Sequence, residues 1–291
     1  MIFKSPVNGI NIDYAIYPAD KERSRILFLT GRAEYYRKYE DLFKELNDRG
    51  VSVYTMDHRG QGHSDRMLKD RQIGHVEKFS HYIDDAQFFL KKFVLKDKPD
   101  DTEVVSFSHS MGGAVSILLG MRYACFDKMI FSSPMWGINT GKFGKKAVFF
   151  LSRLMCALER GENYVVGTGS YCFEAFEKNI LTHSKERFEK QEKYLKDNSD
   201  TVLGGPSYRW LNESLRLCQY LETSDFVLNA KVLLLQAQEE KVVDNYAQDR
   251  IIKKFKNANK ISIKNGFHEL LNESETILSE VLSEIFSFLE K

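Results

Sequence analysis

Apolar and polar positions follow two different periods along the chain, and the two alternate. Short apolar runs rich in β-branched residues indicate buried strands, whereas apolar positions three and four residues apart indicate helices with one buried face. Strands are predicted at residues 10–17, 25–30, 51–57, 104–108, 128–133, 231–237 and 260–264, the first as an edge strand, and helices at 36–46, 79–93, 111–120, 246–255 and 270–289. This order predicts an α/β fold, with a mostly parallel sheet and helices on both of its faces.

The alternation stops between residues 135 and 229, where the pattern is mainly helical and is broken by several glycines. This segment lies between two predicted strands, so it must leave the sheet at a carboxyl edge and return. Active sites of parallel sheets lie beyond that edge. We therefore expect a core of residues 1–134 and 230–291 and a helical cap of residues 135–229 over the active site.

Composition narrows the class of protein. The 291 residues are 43% hydrophobic, and the net charge of +1 gives no bulk electrostatic reason to expect a nucleic-acid partner. We see no secretory signal and no apolar run of membrane-spanning length. Reduced thiols are expected because no two cysteines form a C-x-x-C pair; they are Cys125, Cys156, Cys172 and Cys218. These features predict a cytoplasmic protein.

Residues 104–120, VVSFSHSMGGAVSILLG, indicate a strand that turns abruptly into a helix. A serine at such a corner has an exposed oxygen beside the unpaired N–H groups of the helix. Ser110 fits this position, with Gly112 two residues after it and Ser108 where the usual G-x-S-x-G pattern has a glycine. Ser106 and Ser108 lack that following glycine and lie inside the strand. The alternative is a Ser/Gly-rich turn without chemistry.

A nucleophilic serine requires a base and an acid that orients the base. Only His268, of the seven histidines, comes late enough for the chain order Ser, acid, His, and it follows the last predicted strand. The side chain of His109 is expected to point away from the site. Three carboxylates follow the strand at 231–237 and are candidates for the acid: Glu239, Glu240 and Asp244.

Several stretches resemble the monoacylglycerol lipase and lysophospholipase branch of the α/β-hydrolases, most closely the bacterial inner-membrane-associated lysophospholipases. They span nearly the whole chain: GRAEYYRKYEDL (31–42), DHRGQGHSDR (57–66), GHVEKFSHYIDD (74–85), HSMGGA (109–114), LTHSKERF (181–188), GGPSYRW (204–210) and LLLQAQEEKVVDN (233–245). The resemblance implies a serine hydrolase that cleaves the carboxylic ester of a lipid-like substrate, with no metal or organic cofactor. The alternative is a catalytically silent scaffold that binds a ligand or partner.

The resemblance also assigns roles to residues. It makes Glu240 the acid, with Asp244 as the alternative acid or as the N-cap of the next helix. Relatives often have His-Gly where this chain has Thr30-Gly31, and their oxyanion donors correspond to the N–H groups of Arg32 and Met111. The charge of Arg32 would then lie near the mouth of the pocket. Candidates for substrate contact are Gly31, Tyr208, Arg209 and Trp210, of which Arg209 either contacts a phosphate or braces the cap.

Two further stretches have structural alternatives. Residues 141–155, GKFGKKAVFFLSRLM, mix cationic and large apolar side chains, as in a helix that lies on an anionic membrane, gates an acyl pocket, or simply covers the sheet. The loop DHRGQGHSD is expected to be structural, with Arg59 and Asp65 as a pair.

Overall fold

One eight-stranded sheet organises the chain in the computed structural model, which describes residues 1–291. Its order is β1-β2-β4-β3-β5-β6-β7-β8. The strands are β1 (Ile2–Lys4), β2 (Asn11–Tyr17), β3 (Ser24–Leu29), β4 (Val51–Met56), β5 (Glu103–His109), β6 (Lys128–Ser132), β7 (Lys231–Ala237) and β8 (Ala258–Ile263).

All neighbouring strands from β4 to β8 are parallel, and β1 and β2 are antiparallel to their neighbours. The mostly parallel sheet predicted from the sequence is therefore confirmed. The prediction that residues 10–17 form the edge was wrong, because β1 pairs with β2 outside it. Three residues are too short a segment to show a hydrophobic period, so no sequence pattern predicted β1.

Eight α-helices accompany the sheet: α1 (Glu40–Asn47), α2 (Ser80–Phe89), α3 (Met111–Arg122), α4 (Lys145–Ala157), α5 (Lys185–Asp197), α6 (Tyr208–Thr223), α7 (Asn245–Ile251) and α8 (Glu275–Leu289). The apolar residues of α1 and α8 pack with one face of the sheet in a cluster of 20 buried residues. Those of α2, α3 and α7 pack with the other face in a cluster of 40. Helices thus cover both faces, as a parallel sheet requires.

Residues between β6 and β7 contain α4, α5 and α6, the last two being capped by serine side chains at their N-termini. Strands β5, β7 and β8 run in the same direction, so the loops that follow them meet at one edge of the sheet. None of the helices combines the length and the apolar character needed to cross a bilayer.

Candidate active site

Ser110 occupies a strained turn between β5 and α3. Its φ is 49° and its ψ is −117°, a conformation that non-glycine residues rarely adopt and that persists only when surrounding contacts hold it. The N–H of Ser110 donates to the Ser132 carbonyl at 3.1 Å, and its own carbonyl accepts from Gly113 and Met135 at 2.9 and 2.8 Å. The turn is therefore fixed by the backbone on both sides of the serine.

The positions two residues before and two residues after Ser110 both require small side chains. The space around the turn explains why only the second of them, Gly112, is a glycine. A Cβ on Gly112 would lie 2.3 Å from the Leu29 carbonyl oxygen, so no side chain fits there. The side chain of Ser108 is buried in the sheet, and its hydroxyl lies 3.4 Å from the Ile130 carbonyl oxygen. The position two residues before Ser110 accepts a small side chain, whereas the position two residues after it does not.

The loops after β7 and β8 bring two more of the predicted residues to Ser110. Nε2 of His268 lies 2.9 Å from Oγ of Ser110, and Nδ1 of His268 lies 2.7 Å from Oε2 of Glu240. Ser110 is 8% exposed and His268 is 4% exposed, so the contacts are shielded from water. In this arrangement Nδ1–H donates to the carboxylate and Nε2 is free to accept the serine proton.

Glu240 is held as an anion by its surroundings. Burial opposes its ionisation, but the hydrogen bond and charge interaction with His268 outweigh it and keep the pKa of Glu240 below its ordinary value. The N–H groups of Val242 and Val243 also donate to Oε1, at 2.7 and 3.1 Å. Both carboxylate oxygens are therefore occupied, and only Oε2 faces the imidazole.

The two other candidate acids face elsewhere. Oδ1 of Asp244 accepts from Tyr246 N–H at 2.9 Å and so caps α7, while Oδ2 pairs with Lys145 at the start of α4. Oε2 of Glu239 lies 3.9 Å from Nε2 of His183. Neither carboxylate has a hydrogen bond to His268.

Two backbone N–H groups beside Ser110 have no acceptor within the protein. Met111 is the first residue of α3, where the helix offers its N–H no partner. Arg32 follows Gly31, and a Cβ on Gly31 would lie 3.1 Å from Cβ of Ser110, so this loop lies directly against the serine. Glu34 fixes the loop, since Oε2 of Glu34 accepts from Gly31 N–H at 2.5 Å.

A buried charge network links this loop to the loop of the histidine. Nζ of Lys38 lies 2.8 Å from Glu34 and 2.7 Å from Glu269, the neighbour of His268 in the chain. Burial opposes the charge of Glu34, but Lys38 outweighs it and lowers the pKa of Glu34 to about 2. The network is not evident from the sequence, because Glu34 and Lys38, four residues apart, resemble an ordinary surface pair.

The predicted orientation of the His109 side chain was wrong. Its ring lies 4.9 Å from the ring of His268, and Nε2 is 3.9 Å from Glu34, so the side chain lies beside the site instead of pointing away. The turn at Ser110 directs this last residue of β5 toward the carboxyl edge, where Nδ1 meets the Ser132 carbonyl oxygen at 3.0 Å. Burial lowers the pKa of His109 to about 4, so it is neutral near pH 7.

Glu273 was also missed, and it joins the histidine loop to the segment before α5. Oε1 of this fully buried residue accepts from Phe267 N–H at 2.9 Å and contacts Nδ1 of His183 at 2.9 Å. Oε2 accepts from the N–H groups of His183 and Ser274, both at 2.9 Å. One carboxylate therefore fixes the residue before His268 to the stretch LTHSKERF.

The three consecutive candidates for substrate contact at the start of α6 have different surroundings. The Tyr208 hydroxyl accepts from Val166 N–H at 3.1 Å, and the buried Trp210 ring lies against the guanidinium of Arg32. Nε of Arg209 lies 3.5 Å from Glu77. This side chain borders a cavity of about 780 Å³ between α2, α3 and α6, which Ser110 and His268 do not line. The contacts of Arg209 favour the bracing alternative.

The loop after β4 has a structural arrangement, but the expected pair within it was wrong. Arg59 is buried and forms a two-pronged contact with Asp85, with nitrogen–oxygen distances of 2.7 and 2.9 Å. Asp65 instead accepts from Asn11 N–H at 2.7 Å. The sequence suggested a partner within the same loop, whereas the fold places Asp85 of α2 within reach of the guanidinium.

Comparisons with known proteins assign the chain to a family. The model of the Hydrolase_4 family, described as serine aminopeptidase, S33, matches residues 20–275. Lysophospholipase L2 of Escherichia coli strain K12 is 31% identical over 293 residues, which cover 98% of this chain and 86% of that protein. A probable lysophospholipase L2 of Haemophilus influenzae is 31% identical over 277 residues, covering 95% and 87%.

The chain belongs to the Hydrolase_4 family.

Solved structures support the same fold for this Hydrolase_4 chain. A soluble variant of monoglyceride lipase from Saccharomyces cerevisiae, in complex with a substrate analog, superposes with a TM-score of 0.79 at 16% identity, covering 99% of this chain and 94% of that one. The Paleococcus ferrophilus monoacylglycerol lipase gives 0.73 at 18% identity, covering 96% and 98%. The fold is that of the α/β-hydrolases, and the chain is a serine ester hydrolase, as the resemblance implied.

Proposed function

We propose that this hydrolase cleaves the acyl ester of a lysophospholipid, with Ser110 as nucleophile, His268 as base and Glu240 as the orienting acid. The proposal rests chiefly on the unbroken chain of contacts from Ser110 through His268 to Glu240, at 2.9 and 2.7 Å. The substrate class is taken from the two lysophospholipase L2 relatives, which this chain matches over nearly its whole length.

In this mechanism Oγ of Ser110 attacks the acyl carbon while Nε2 of His268 takes its proton. The carbonyl oxygen becomes an oxyanion, which the N–H groups of Met111 and Arg32 stabilise. Collapse of this intermediate breaks the ester bond, and the imidazolium returns its proton to the leaving alcohol. A water molecule then attacks the acyl-enzyme, with His268 again as the base, and releases the fatty acid and free Ser110.

We further propose that residues 135–229 act as a cap over the core of residues 1–134 and 230–291. Contacts between the two support this division. The N–H of Glu269 donates to the Leu181 carbonyl at 2.9 Å, and the Thr182 hydroxyl donates to the Asn272 carbonyl at 2.6 Å. A cap held next to the His268 loop would keep water from the acyl-enzyme until the substrate's alcohol has left.

The outer face of α4 and the turn before it are proposed to contact a membrane surface. Phe143 and Phe150 are 74% and 69% exposed, Leu154 is also exposed, and Lys146 and Arg153 lie among them. Exposed apolar side chains mixed with cations suit an anionic lipid surface. Four unpaired cysteines suit a reducing compartment, so we propose the cytoplasmic face of the membrane.

Covalent labelling and turnover together test the proposed chemistry. A fluorophosphonate probe should label the wild-type protein at Ser110, and Ser110→Ala should lose both labelling and hydrolysis of lysophosphatidylcholine. The loss of turnover should be several orders of magnitude, because the variant lacks the nucleophile. Ser108→Ala is the matched control and should still be labelled. Near wild-type turnover by Ser110→Ala would refute the nucleophile. Hydrolysis of p-nitrophenyl esters without hydrolysis of lysophospholipids would refute only the substrate class.

A further inference from the structure

The guanidinium of Arg32 is a cation without a carboxylate partner. The residue as a whole is half-buried, and its guanidinium points toward the segment 204–210. Nη2 donates to the Gly204 carbonyl, and Cζ lies 5.3 Å from the centroid of the Trp210 ring. Nε is buried without an acceptor, Nη1 donates to no protein group, and no Asp or Glu oxygen lies within 4 Å. A single carbonyl therefore receives the only hydrogen bond of this side chain.

Two other buried arginines of the chain have a carboxylate partner. Arg59 is paired with Asp85. Arg25 is paired with Glu22 and donates to carbonyl groups. By contrast, burial lowers the pKa of Arg32 to about 10, and the only groups that oppose this are tyrosines. The guanidinium still carries its charge at neutral pH. A desolvated charge without a partner costs free energy, so its retention calls for a ligand that supplies the missing anion.

The location of Arg32 indicates where that anion would lie. Its backbone N–H is the proposed oxyanion donor, and the adjoining Gly31 packs against Ser110. The guanidinium is thus within one arginine side chain of the proposed oxyanion donor, a reach of roughly 6–7 Å. Gly74 makes room for it, since a Cβ there would lie 2.5 Å from Nη2. Gly204, Trp210 and Gly74 therefore hold the cation in one place.

We propose that Arg32 binds the phosphodiester of the lysophospholipid and thereby makes the enzyme prefer this substrate to a monoacylglycerol. The inference rests on the proposed hydrolysis of lysophospholipids at Ser110. Glycerol separates the acyl carbon from the phosphorus by six bonds, a span of roughly 6–7 Å that matches the reach of the side chain. The free donors of Arg32 suit phosphate oxygens, which guanidinium groups bind with two parallel hydrogen bonds. A monoacylglycerol has no anion at this place.

The test compares two lipids with the same acyl chain, a lysophosphatidylcholine and a 1-monoacylglycerol. Arg32→Gln keeps the backbone N–H and should lower kcat/KM for the lysophospholipid, relative to that for the monoacylglycerol, by roughly 10- to 100-fold. Arg32→Lys keeps the charge but not the two-pronged geometry, and should give an intermediate ratio. Arg66→Gln is the matched control. Arg66 also donates to a carbonyl of the segment between β6 and β7, that of Asp200 at 2.9 Å, so its loss should leave the ratio unchanged.

Inhibition of p-nitrophenyl ester hydrolysis identifies the source of the anion. sn-Glycero-3-phosphocholine should inhibit the wild type and should inhibit Arg32→Gln more weakly. Inhibition by inorganic phosphate alone would point to a free anion and overturn the assignment to the head group.

The remaining outcomes separate this inference from the proposed function. Equal losses on both lipids, or no change on either, would overturn the role of Arg32 while leaving lysophospholipid hydrolysis intact. Circular dichroism and thermal unfolding should show both Arg32 variants folded, and if Arg32→Gln is not, Arg32→Lys decides by the same ratio. A wild type that cleaves aryl esters but no lysophospholipid would overturn the substrate class, and the role of Arg32 with it.

Discussion

Replacement of Glu240 by glutamine tests the proposed role of this side chain through its hydrogen bonds. Oε1 accepts two backbone N–H groups, from Val242 and Val243, and Oε2 faces Nδ1 of His268. In Glu240→Gln the single amide oxygen must remain with the two N–H donors, so the NH₂ group turns toward Nδ1. The imidazole then carries its proton on Nε2. This tautomer donates to Ser110 and cannot accept the serine proton.

The expected loss follows from this wrong tautomer and from the missing charge. Together they should lower kcat for a p-nitrophenyl ester on the order of 10⁴-fold, equivalent to about 5 kcal/mol of transition-state stabilisation. The side chain keeps its shape, so thermal unfolding should change little. Steady-state kinetics with a short aryl ester measures the effect without any requirement for a lipid interface.

Two neighbouring carboxylates supply controls. Glu239→Gln makes the same chemical change one residue away on a half-exposed side chain and should leave turnover within a few-fold of the wild type. Asp244→Asn should change stability and turnover little, because asparagine can also cap α7. If Glu240→Gln kept turnover within tenfold while Asp244→Asn lost three orders of magnitude, the acid would be Asp244 and the reasoning would be refuted.

Substitutions at two positions outside the proposed triad test the residues that support it. Ser108→Gly and Ser108→Ala should stay active, whereas Ser108→Leu should lose activity and roughly 1–3 kcal/mol of stability through overpacking; a stable, active Ser108→Leu in thermal unfolding and ester assays would contradict the elbow geometry. Glu34→Gln should lower the free energy of unfolding near pH 7 on the order of 3 kcal/mol. The folded pKa of Glu34 is lowered to about 2, so the stabilisation by its carboxylate is fully present above the ordinary pKa of glutamate and is lost as the pH falls toward 2. The free energies of unfolding of the two proteins, measured by denaturant titration, should therefore converge in acid. A difference that widened in acid would refute the charge network.

Sequence patterns predicted the parallel sheet well because each central strand is a short apolar segment bounded by polar or turn residues. Such a segment suits a strand that is buried on both faces of a sheet. Strand β7 was predicted with its observed bounds, Lys231–Ala237. The same reasoning placed Ser110 and His268 at one edge of the sheet, since chain order and strand direction fix which ends meet. It left three carboxylates open as the acid, because side-chain direction in a loop depends on hydrogen bonds such as those of Val242 and Val243.

The charged residues that support the site could not be predicted from the sequence, for a physical reason. Glu34 and Lys38 look like a solvated pair in sequence, yet Lys38 is buried between Glu34 and Glu269. Glu269 is distant from both along the chain. The residues next to a charged residue in the sequence do not reveal which distant loop will bury it. Arg32 illustrates the converse case, in which a backbone role was expected but the burial of its guanidinium beside Trp210 was not.

Precise contacts between Ser110 and His268 require that two loops from opposite ends of the chain stay in register. The backbone N–H of Gly31, next to the proposed oxyanion donor, binds the Glu34 carboxylate. Lys38 in turn bridges Glu34 and Glu269, the residue after His268. Each link is a buried charge-assisted contact, stronger than a surface pair and costly to break singly. The network therefore couples the position of the proposed oxyanion donor to that of the proposed base. A displacement of either loop would leave a buried charge without its partner, and that penalty keeps the catalytic geometry preorganised.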